Sequence, residues 1–413
     1  MEAKNNKLFL GGVSAEDLVA KYESPLYVYE EEVIRERYNN LYSSIDYPKK
    51  KILYACKANS NLAILKMLKE LGCGIDAVSP GEIHLALKLG FKPEDIVFTG
   101  NNTRNDEMEF AVKNRVLVNI DSLNQLERYG RLFPGTKVSV RINPDVGAGY
   151  HKHIITGGPD SKFGIYFDKV GEAQKIAREH NLRIVGVHSH IGSGILDVDI
   201  YLQAMKITMD VAKEFKNIDF MDFGGGIGIP YKPGEKEIDM KKFGKDVSDL
   251  FTRFCDDYGR QLTIMFEPGR YLVGQSGFLL TVVNTIKETP KHKFIGTDTG
   301  FNQLIRPSIY GSYHEIINAS NVSGKKERVI VAGNVCESGD VMTRDREDPV
   351  DRDIPEARVG DVLAICNAGA YGFSMASEYN SRPRPAEVLT KGGKSRLVRE
   401  RGGFDDLLRG QIS

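Results

Sequence analysis

The sequence predicts an α/β protein: a (β/α)8 TIM-type barrel followed by a mostly antiparallel β-sandwich or β-barrel domain. Three observations predict it. Eight short apolar runs rich in Val, Ile and Phe recur as far as Phe266, and amphipathic stretches separate them. Past Arg270 the texture changes to alternating apolar and polar residues broken by turn residues.

The eight runs are Ile52–Cys56, Ile75–Val78, Ile96–Thr99, Val116–Ile120, Val138–Ile142, Ile184–His188, Phe220–Phe223 and Leu262–Phe266. Between them lie LAILKMLKELG, GEIHLALKLG, DEMEFAVKN, SLNQLERYGRL, VGEAQKIAREH and YLQAMKITMDVAKEF, whose apolar residues return at three- and four-residue steps. A parallel pair needs a crossover to bring the chain back, so eight strand–helix units predict a closed barrel ending near residue 270. A doubly wound open sheet has the same periodicity and is the alternative.

GFLLTVVNTIKET, HKFIGTDTG, KERVIVAGNVC and GDVLAICNAG carry the later strands. The leader through Tyr22 is too short to fold alone and is expected to add an edge to that second domain. The expected division is therefore a barrel of residues 25–270 and a β domain of 1–24 plus 271–413. The charged segment TRDREDPVDRDIPEARVG (343–360) is expected to be a solvated loop, with an ordered lid as the alternative.

At 413 residues the chain exceeds the size at which one core usually stops growing. Lys plus Arg and Asp plus Glu number 56 each, so no bulk field steers the protein toward nucleic acid or an anionic membrane. Anion binding has to be local. Five cysteines without a CxxC pair disfavour a disulfide scaffold and structural zinc, and no metal is expected. The start MEAKNNKLFL is too polar for a secretory signal, and no run approaches the roughly 20 apolar residues of a membrane span. A cytoplasmic location is the expectation.

Chemistry in a barrel sits at the C-terminal mouth, so the strand ends are read together. They are polar: Lys57, Asp76 and Ser79, Arg141 and Asn143, His188 and His190, Gly224 to Gly226, then Glu267, Gly269 and Arg270. Most lysines are solvated surface charges. A lysine fed by an apolar strand into a barrel mouth is instead partly desolvated, which favours the neutral amine that attacks an aldehyde to form a Schiff base. The run Asp222-Phe-Gly-Gly-Gly-Ile-Gly228 is either a tight turn or a cradle whose free N–H groups hold a phosphate. Glu267 is either a buried acid satisfied by Arg270 or a carboxylate against a pyridine nitrogen, keeping that ring an electron sink. His190 is either a satisfied core histidine or a ring stacked on a cofactor.

YACKAN around Lys57, HIGSG from His190, DFGGGIG from Asp222, EPGR from Glu267, CESGD from Cys336 and NAGAYGFSMASEYNSRPRP from Asn367 resemble, in this order, the diaminopimelate decarboxylases. These are alanine-racemase-like, fold type III enzymes of pyridoxal 5'-phosphate, and the resemblance runs from about Pro25 to Val388. It implies that Lys57 carries the cofactor, that Glu267 pairs with its ring nitrogen and that His190 stacks on the ring. Ser193, Gly224, Gly225, Gly226, Gly228, Gly269 and Arg270 would hold phosphate, Tyr371 would reach the phosphate or the aldimine, and Asp76 and Arg141 join the cofactor set. Cys336 is implied as proton donor across a subunit interface, hence a homodimer with shared active sites to which the β domain contributes Cys336, Glu337 and Tyr371.

The resemblance also implies the reaction: meso-2,6-diaminopimelate to L-lysine and CO2, the last step of lysine biosynthesis. Arg270, Arg306, Tyr310, Glu337 and Tyr371 match the substrate set, and a guanidinium binds a distal carboxylate in bidentate fashion. A surface salt bridge is the bland alternative for Arg306. Ornithine-, arginine- or lysine-type decarboxylases share the lysine, the glycines and EPGR, but typically carry Cys-Asp where this chain has Cys336-Glu337. A non-catalytic regulator would lack the lysine or the cysteine, and a simple cofactor carrier would lack the second domain.

Overall fold

The computed structural model describes residues 1–145, 161–190 and 192–412; Ile191 of the HIGSG motif lies outside them. The chain divides into two compact units, Arg37–Ile229 with Lys236–Tyr271, and Met1–Glu36 with Pro230–Glu235 and Leu272–Ser413.

The first unit is the barrel. Its strands are β1 (Lys50–Ala55), β2 (Gly74–Ala77), β3 (Ile96–Phe98), β4 (Leu117–Ile120), β5 (Lys137–Asn143), β6 (Arg183–His188), β7 (Phe220–Asp222) and β8 (Thr263–Phe266). Every neighbouring pair is parallel, β8 pairs with β1 at Phe266↔Ile52, and β4 pairs with β5 at Asn119↔Ser139. The sheet therefore closes and the open doubly wound alternative is excluded. A two-residue strand, Ile165–Tyr166, adds to β5 beyond the expected set.

The expected helices form as Leu62–Glu70, Pro80–Lys88, Asn105–Lys113, Leu123–Leu132, Val170–Glu179 and Val198–Ala212. Side chains of Asn61, Ser79, Ser122 and Asp197 accept backbone N–H bonds at their starts, each such cap stabilising a helix by about 1 kcal/mol. Ser79 is thus a cap rather than a site residue. A further helix, Met240–Tyr258, lies between β7 and β8 and buries Phe243, Val247, Phe251 and Phe254.

Leu53, Val97, Val185, Phe220 and Met265, from five strands, form one buried apolar cluster. Side chains two residues apart on a strand share a face. Asp222 and Glu267 stand two residues beyond Phe220 and Met265, and Thr99 stands two beyond Val97, so a polar layer tops the apolar one. Gly186 makes room for the plug: a Cβ there would lie 2.1 Å from the Phe220 ring.

The second unit is a nine-stranded, mostly antiparallel sheet. Gly277–Glu288 pairs antiparallel with Lys293–Thr297, Val362–Ile365 and Leu26–Glu30. Two pairings are parallel, Lys293–Thr297 with Lys326–Ala332 and Leu26–Glu30 with Ala386–Lys391. Leu26–Glu30, expected within the barrel stretch, thus belongs to this sheet. All five of its residues are buried, including Tyr27 and Tyr29, whose hydroxyls donate to the Gln303 carbonyl at 2.6 Å and to Glu387 at 2.7 Å.

Two expectations for this unit change. The leader forms its own three-stranded sheet, Glu2–Lys4, Lys7–Leu10 and Val13–Ser14, because Leu8 and Leu10 bury themselves in the unit's core rather than along a sheet edge. Within the charged segment, Arg352–Pro355 is a strand paired with Lys326–Val329. Ile354 and Pro355 are buried there, which a purely solvated loop would not allow.

Gly186→Ala should cost about 1–3 kcal/mol by forcing the Phe220 ring aside. Urea unfolding checks this, and adding Phe220→Leu should recover part of the loss.

Candidate active site

At the end of β1, Lys57 lies in the short turn Cys56–Ala58 with its side chain 40% exposed, and its Nζ is 3.0 Å from Asp76 Oδ2. The strand pattern predicts a partly desolvated amine, and a side chain exposed to this extent is consistent with that. The structure gives an accessible ammonium facing a buried carboxylate. Thr99, two residues past the apolar layer on β3, donates its hydroxyl to Asp76 Oδ1. Burial and the negative charge of Glu267 raise the Asp76 carboxyl above its ordinary range, partly offset by Lys57.

Glu267, just past β8, is buried beside His188 at the end of β6, with His188 Nε2 3.0 Å from Glu267 Oε2. Arg270 is not its partner. Burial alone would raise the Glu267 carboxyl, but His188, then Lys57, outweigh it and hold the group ionised, well below the usual carboxylate range. Asp222 closes the cluster: one ligand-type atom each from His188, Asp222 and Glu267 lie within 4.8 Å of one another. Two carboxyls this close and this buried do not both ionise. Burial and Glu267 push Asp222 well up, so Asp222 holds a proton while Glu267 keeps the charge.

The glycine segment after β7 is tightly packed. Gly224 and Gly226 have φ of 65° and 100°, and a Cβ on Gly225 would stand 2.5 Å from the Glu267 carbonyl oxygen. Its amides are mostly spoken for. Gly224 N–H donates to Asp222 Oδ1 at 2.8 Å, Gly225 N–H to His190 Nδ1 at 3.2 Å and Gly228 N–H to the Ile195 carbonyl at 2.8 Å. The expectation of several free N–H groups is corrected: Gly224, Gly225 and Gly228 provide close approach, not donors. Accepting on Nδ1 puts the proton of neutral His190 on Nε2, and burial with nearby Arg141 and Lys57 keeps that ring neutral by pushing it well below its usual range.

Arg270 Nη2 lies 3.2 Å from Ser193 Oγ, so these two expected residues meet. A Cβ on Gly269 would be 2.9 Å from Ala58 Cβ, which ties the EPGR segment against the Lys57 turn. Arg141 is buried, 3.8 Å from Asp121 Oδ1, with its guanidinium 4.5 Å from the Phe163 ring centroid.

The second unit holds the other expected residues. Arg306 is buried rather than a surface ion pair. Its guanidinium lies 5.3 Å from the Tyr231 ring and 5.9 Å from the Tyr371 ring, and it donates from Nη2 to Ser312 Oγ at 3.1 Å and from Nε to His314 Nε2 at 3.4 Å. His314 Nδ1 is 2.8 Å from the Cys366 carbonyl, which only accepts, so Nε2 is the acceptor that Arg306 requires. Tyr371 has φ of 59°, an unusual conformation for an aromatic residue. Tyr310 ends the single helical turn that Arg306 begins and is exposed. Cys336 and Glu337 are exposed in the loop after Lys326–Ala332, with Glu337 Oε2 accepting from Gly339 N–H at 2.7 Å. Cys56, Cys73, Cys255 and Cys366 are buried thiols.

Residues 31–274 match the family model described as "Pyridoxal-dependent decarboxylase, pyridoxal binding domain". The chain is 50% identical over 414 residues to a diaminopimelate decarboxylase of Methanothermobacter thermautotrophicus, covering 98% of this chain and 95% of the relative. The chain belongs to the diaminopimelate decarboxylase family. An Aquifex aeolicus family member is 39% identical, with 98% of this chain and 96% of the relative covered. The solved diaminopimelate decarboxylase of M. jannaschii in complex with L-lysine superimposes with a TM-score of 0.92 at 37% identity, over 100% of this chain and 97% of that one.

The barrel mouth fits the pyridoxal phosphate of this family on its own contacts. Glu267 is buried and ionised, an acceptor of the kind a protonated ring nitrogen takes. Gly225 packs against the Glu267 backbone carbonyl where a Cβ would not fit, and Ser193 with Arg270 supplies a hydroxyl and a cation for a phosphate.

Three contributors lie outside the quoted motifs, Thr99 and, around Arg306, His314 and Tyr231; His188 and Asp222 were named, but not their grouping with Glu267. The i, i+2 alternation on β3, β7 and β8 carried a signal for Thr99 and Asp222, since polar residues at those strand ends share the inward face, whereas His188 follows a register shift within β6. Nothing local in sequence marks Tyr231 or His314.

Replacing His188 by Leu leaves the Glu267 charge uncompensated and should cost about 3–5 kcal/mol. Asp222→Asn exchanges a protonated carboxyl for a neutral amide and should cost no more than about 1 kcal/mol. Equal losses in urea unfolding would contradict the assigned proton.

Proposed function

We infer that this protein is a pyridoxal 5'-phosphate-dependent carboxy-lyase that converts meso-2,6-diaminopimelate to L-lysine and CO2, the last step of lysine biosynthesis. One observation carries the chemistry: an accessible primary amine, Lys57, and a buried ionised carboxylate, Glu267, stand at the ends of the adjacent strands β1 and β8. Bound pyridoxal phosphate supplies an aldehyde that condenses with amines and a protonated ring that takes up the electron pair of the breaking Cα–carboxylate bond.

Lys57 is the amine that anchors the cofactor and yields its place to the substrate amine. Asp76 faces it at 3.0 Å and can take a proton as that exchange occurs. Glu267 holds the proton on the ring nitrogen, and His188 keeps Glu267 ionised for that task. His190, neutral with its proton on Nε2, presents a ring without a competing charge. Ser193, Arg270 and the Gly226 amide bind the phosphate, while Gly224, Gly225, Gly228 and Gly269 let the backbone come close. Arg141 is the remaining buried cation of the cofactor set.

Substrate choice rests on the buried Arg306 between Tyr231 and Tyr371, an anion site whose fork suits the distal carboxylate that ornithine lacks. Tyr310, Glu337, Tyr371 and Arg270 complete the proposed substrate set, Glu337 as the anion for the distal ammonium. Cys336 is the proton donor to Cα after CO2 leaves, its thiolate regaining a proton from solvent, and it serves the barrel of a second copy in a homodimer. The protein acts in the cytoplasm on this reading; no described helix is long and apolar enough to cross a membrane.

Incubating the purified protein and cofactor separately with diaminopimelate, ornithine, arginine and lysine, then measuring gas evolution, tests the reading; release from ornithine but not diaminopimelate would overturn it. Lys57→Ala should abolish the long-wavelength absorbance of the bound cofactor and borohydride trapping at that position. Arg306→Lys should reduce kcat/KM for diaminopimelate at least ten-fold more than any residual ornithine turnover, because a point charge replaces a bidentate fork.

A further inference from the structure

The loop that carries Cys336 is pinned at three consecutive residues. Arg382 Nη2 donates to the Asn334 carbonyl at 2.8 Å, Val335 N–H donates to Asp340 Oδ2 at 2.7 Å, and Cys336 N–H donates to Asn380 Oδ1 at 2.7 Å. Asp340 is buried, and its other oxygen accepts from Phe301 N–H at 2.6 Å. Two of the three pins come from one segment, Asn380 to Arg382.

That segment has an unusual backbone. Asn380 and Ser381 are consecutive non-glycine residues with φ of 58° and 55°. The left-handed region is sterically unfavourable for an L-residue, and asparagine tolerates it better than most. Anchors on both sides hold it: the Tyr379 ring stacks on Phe301 with centroids 5.6 Å apart, and Arg382 grips Asn334. Phe301 is the residue whose N–H Asp340 accepts, so both anchors lead back to the Cys336 loop. Strained backbone of this kind persists where the surroundings over-determine it, and here it delivers a single acceptor to a single amide.

We propose that Asn380 is a positioning residue for Cys336, fixing the amide and therefore the direction in which the thiol points. The proposal rests on Cys336 as proton donor and deepens that assignment. A donor loop free to shift by about 1 Å loses on the order of 100-fold in a proton-transfer step. Asparagine meets both demands of the position, a left-handed backbone and an uncharged acceptor that does not place an anion beside the thiol.

Iodoacetamide labelling tests this, since Cys336 is exposed and the other four cysteines are buried. Asn380→Gly keeps the left-handed backbone without strain and removes only the acceptor. It should alkylate at Cys336 several-fold faster than the parent, with turnover reduced about ten-fold and the absorbance of bound cofactor unchanged. Asn380→Asp retains an acceptor and should alkylate no faster than the parent. A parental rate in Asn380→Gly overturns the proposal, as does equal acceleration at Cys56 and Cys366, which would mean general loosening. Cys336→Ser judges the donor role separately: full turnover there would remove the proton-donor assignment, while the alkylation comparison still decides whether Asn380 holds the loop.

Discussion

One buried negative charge organises the barrel mouth. Glu267 shares a pocket with a second carboxyl, Asp222, and a medium that poorly solvates charge admits only one of the two as an anion. His188 decides which, because its Nε2 sits against Glu267. The remaining polar groups adjust to that choice: Asp222 and Asp76 bind protons more tightly than free carboxyls, and Arg141 and Lys57 face the resulting field.

Strand alternation delivers these groups to one place. Each inward-facing apolar residue of the plug is followed two positions later by the next inward residue, and on β3, β7 and β8 that residue is polar. The apolar layer does more than fill space. It dries the floor of the pocket, which strengthens every electrostatic interaction above it. Gly186 belongs to the same device, giving up its side chain where the Phe220 ring of the apolar cluster packs against it.

Much of this was legible in the sequence. The eight apolar runs became the eight barrel strands, within a few residues at each end, because strands buried on both faces leave a continuous apolar signature. Lys57, Glu267 and Ser193 with Arg270 came from ordered motifs and lie in the barrel unit; Arg306 and Tyr371 lie near each other within the second unit. Contacts made across the fold were harder to see. The pairing of Glu267 with His188 instead of Arg270 depends on which strands are neighbours across the pocket. The fate of the glycine amides depends on φ angles that no residue name encodes. Leu26–Glu30 was misplaced because a short apolar stretch does not say which core will bury it.

Leu26–Glu30 also bears on how the chain reaches its native state. This strand emerges early in synthesis, yet its two sheet neighbours, Gly277–Leu280 and Ala386–Thr390, come from far later in the polypeptide. All eight barrel strands are complete by Phe266. The ribosome can therefore release a nearly finished barrel while an apolar strand with fully open edges waits for its partners. Such long-range pairing is slow, and during that interval the nascent chain is most exposed to aggregation and most in need of chaperone cover.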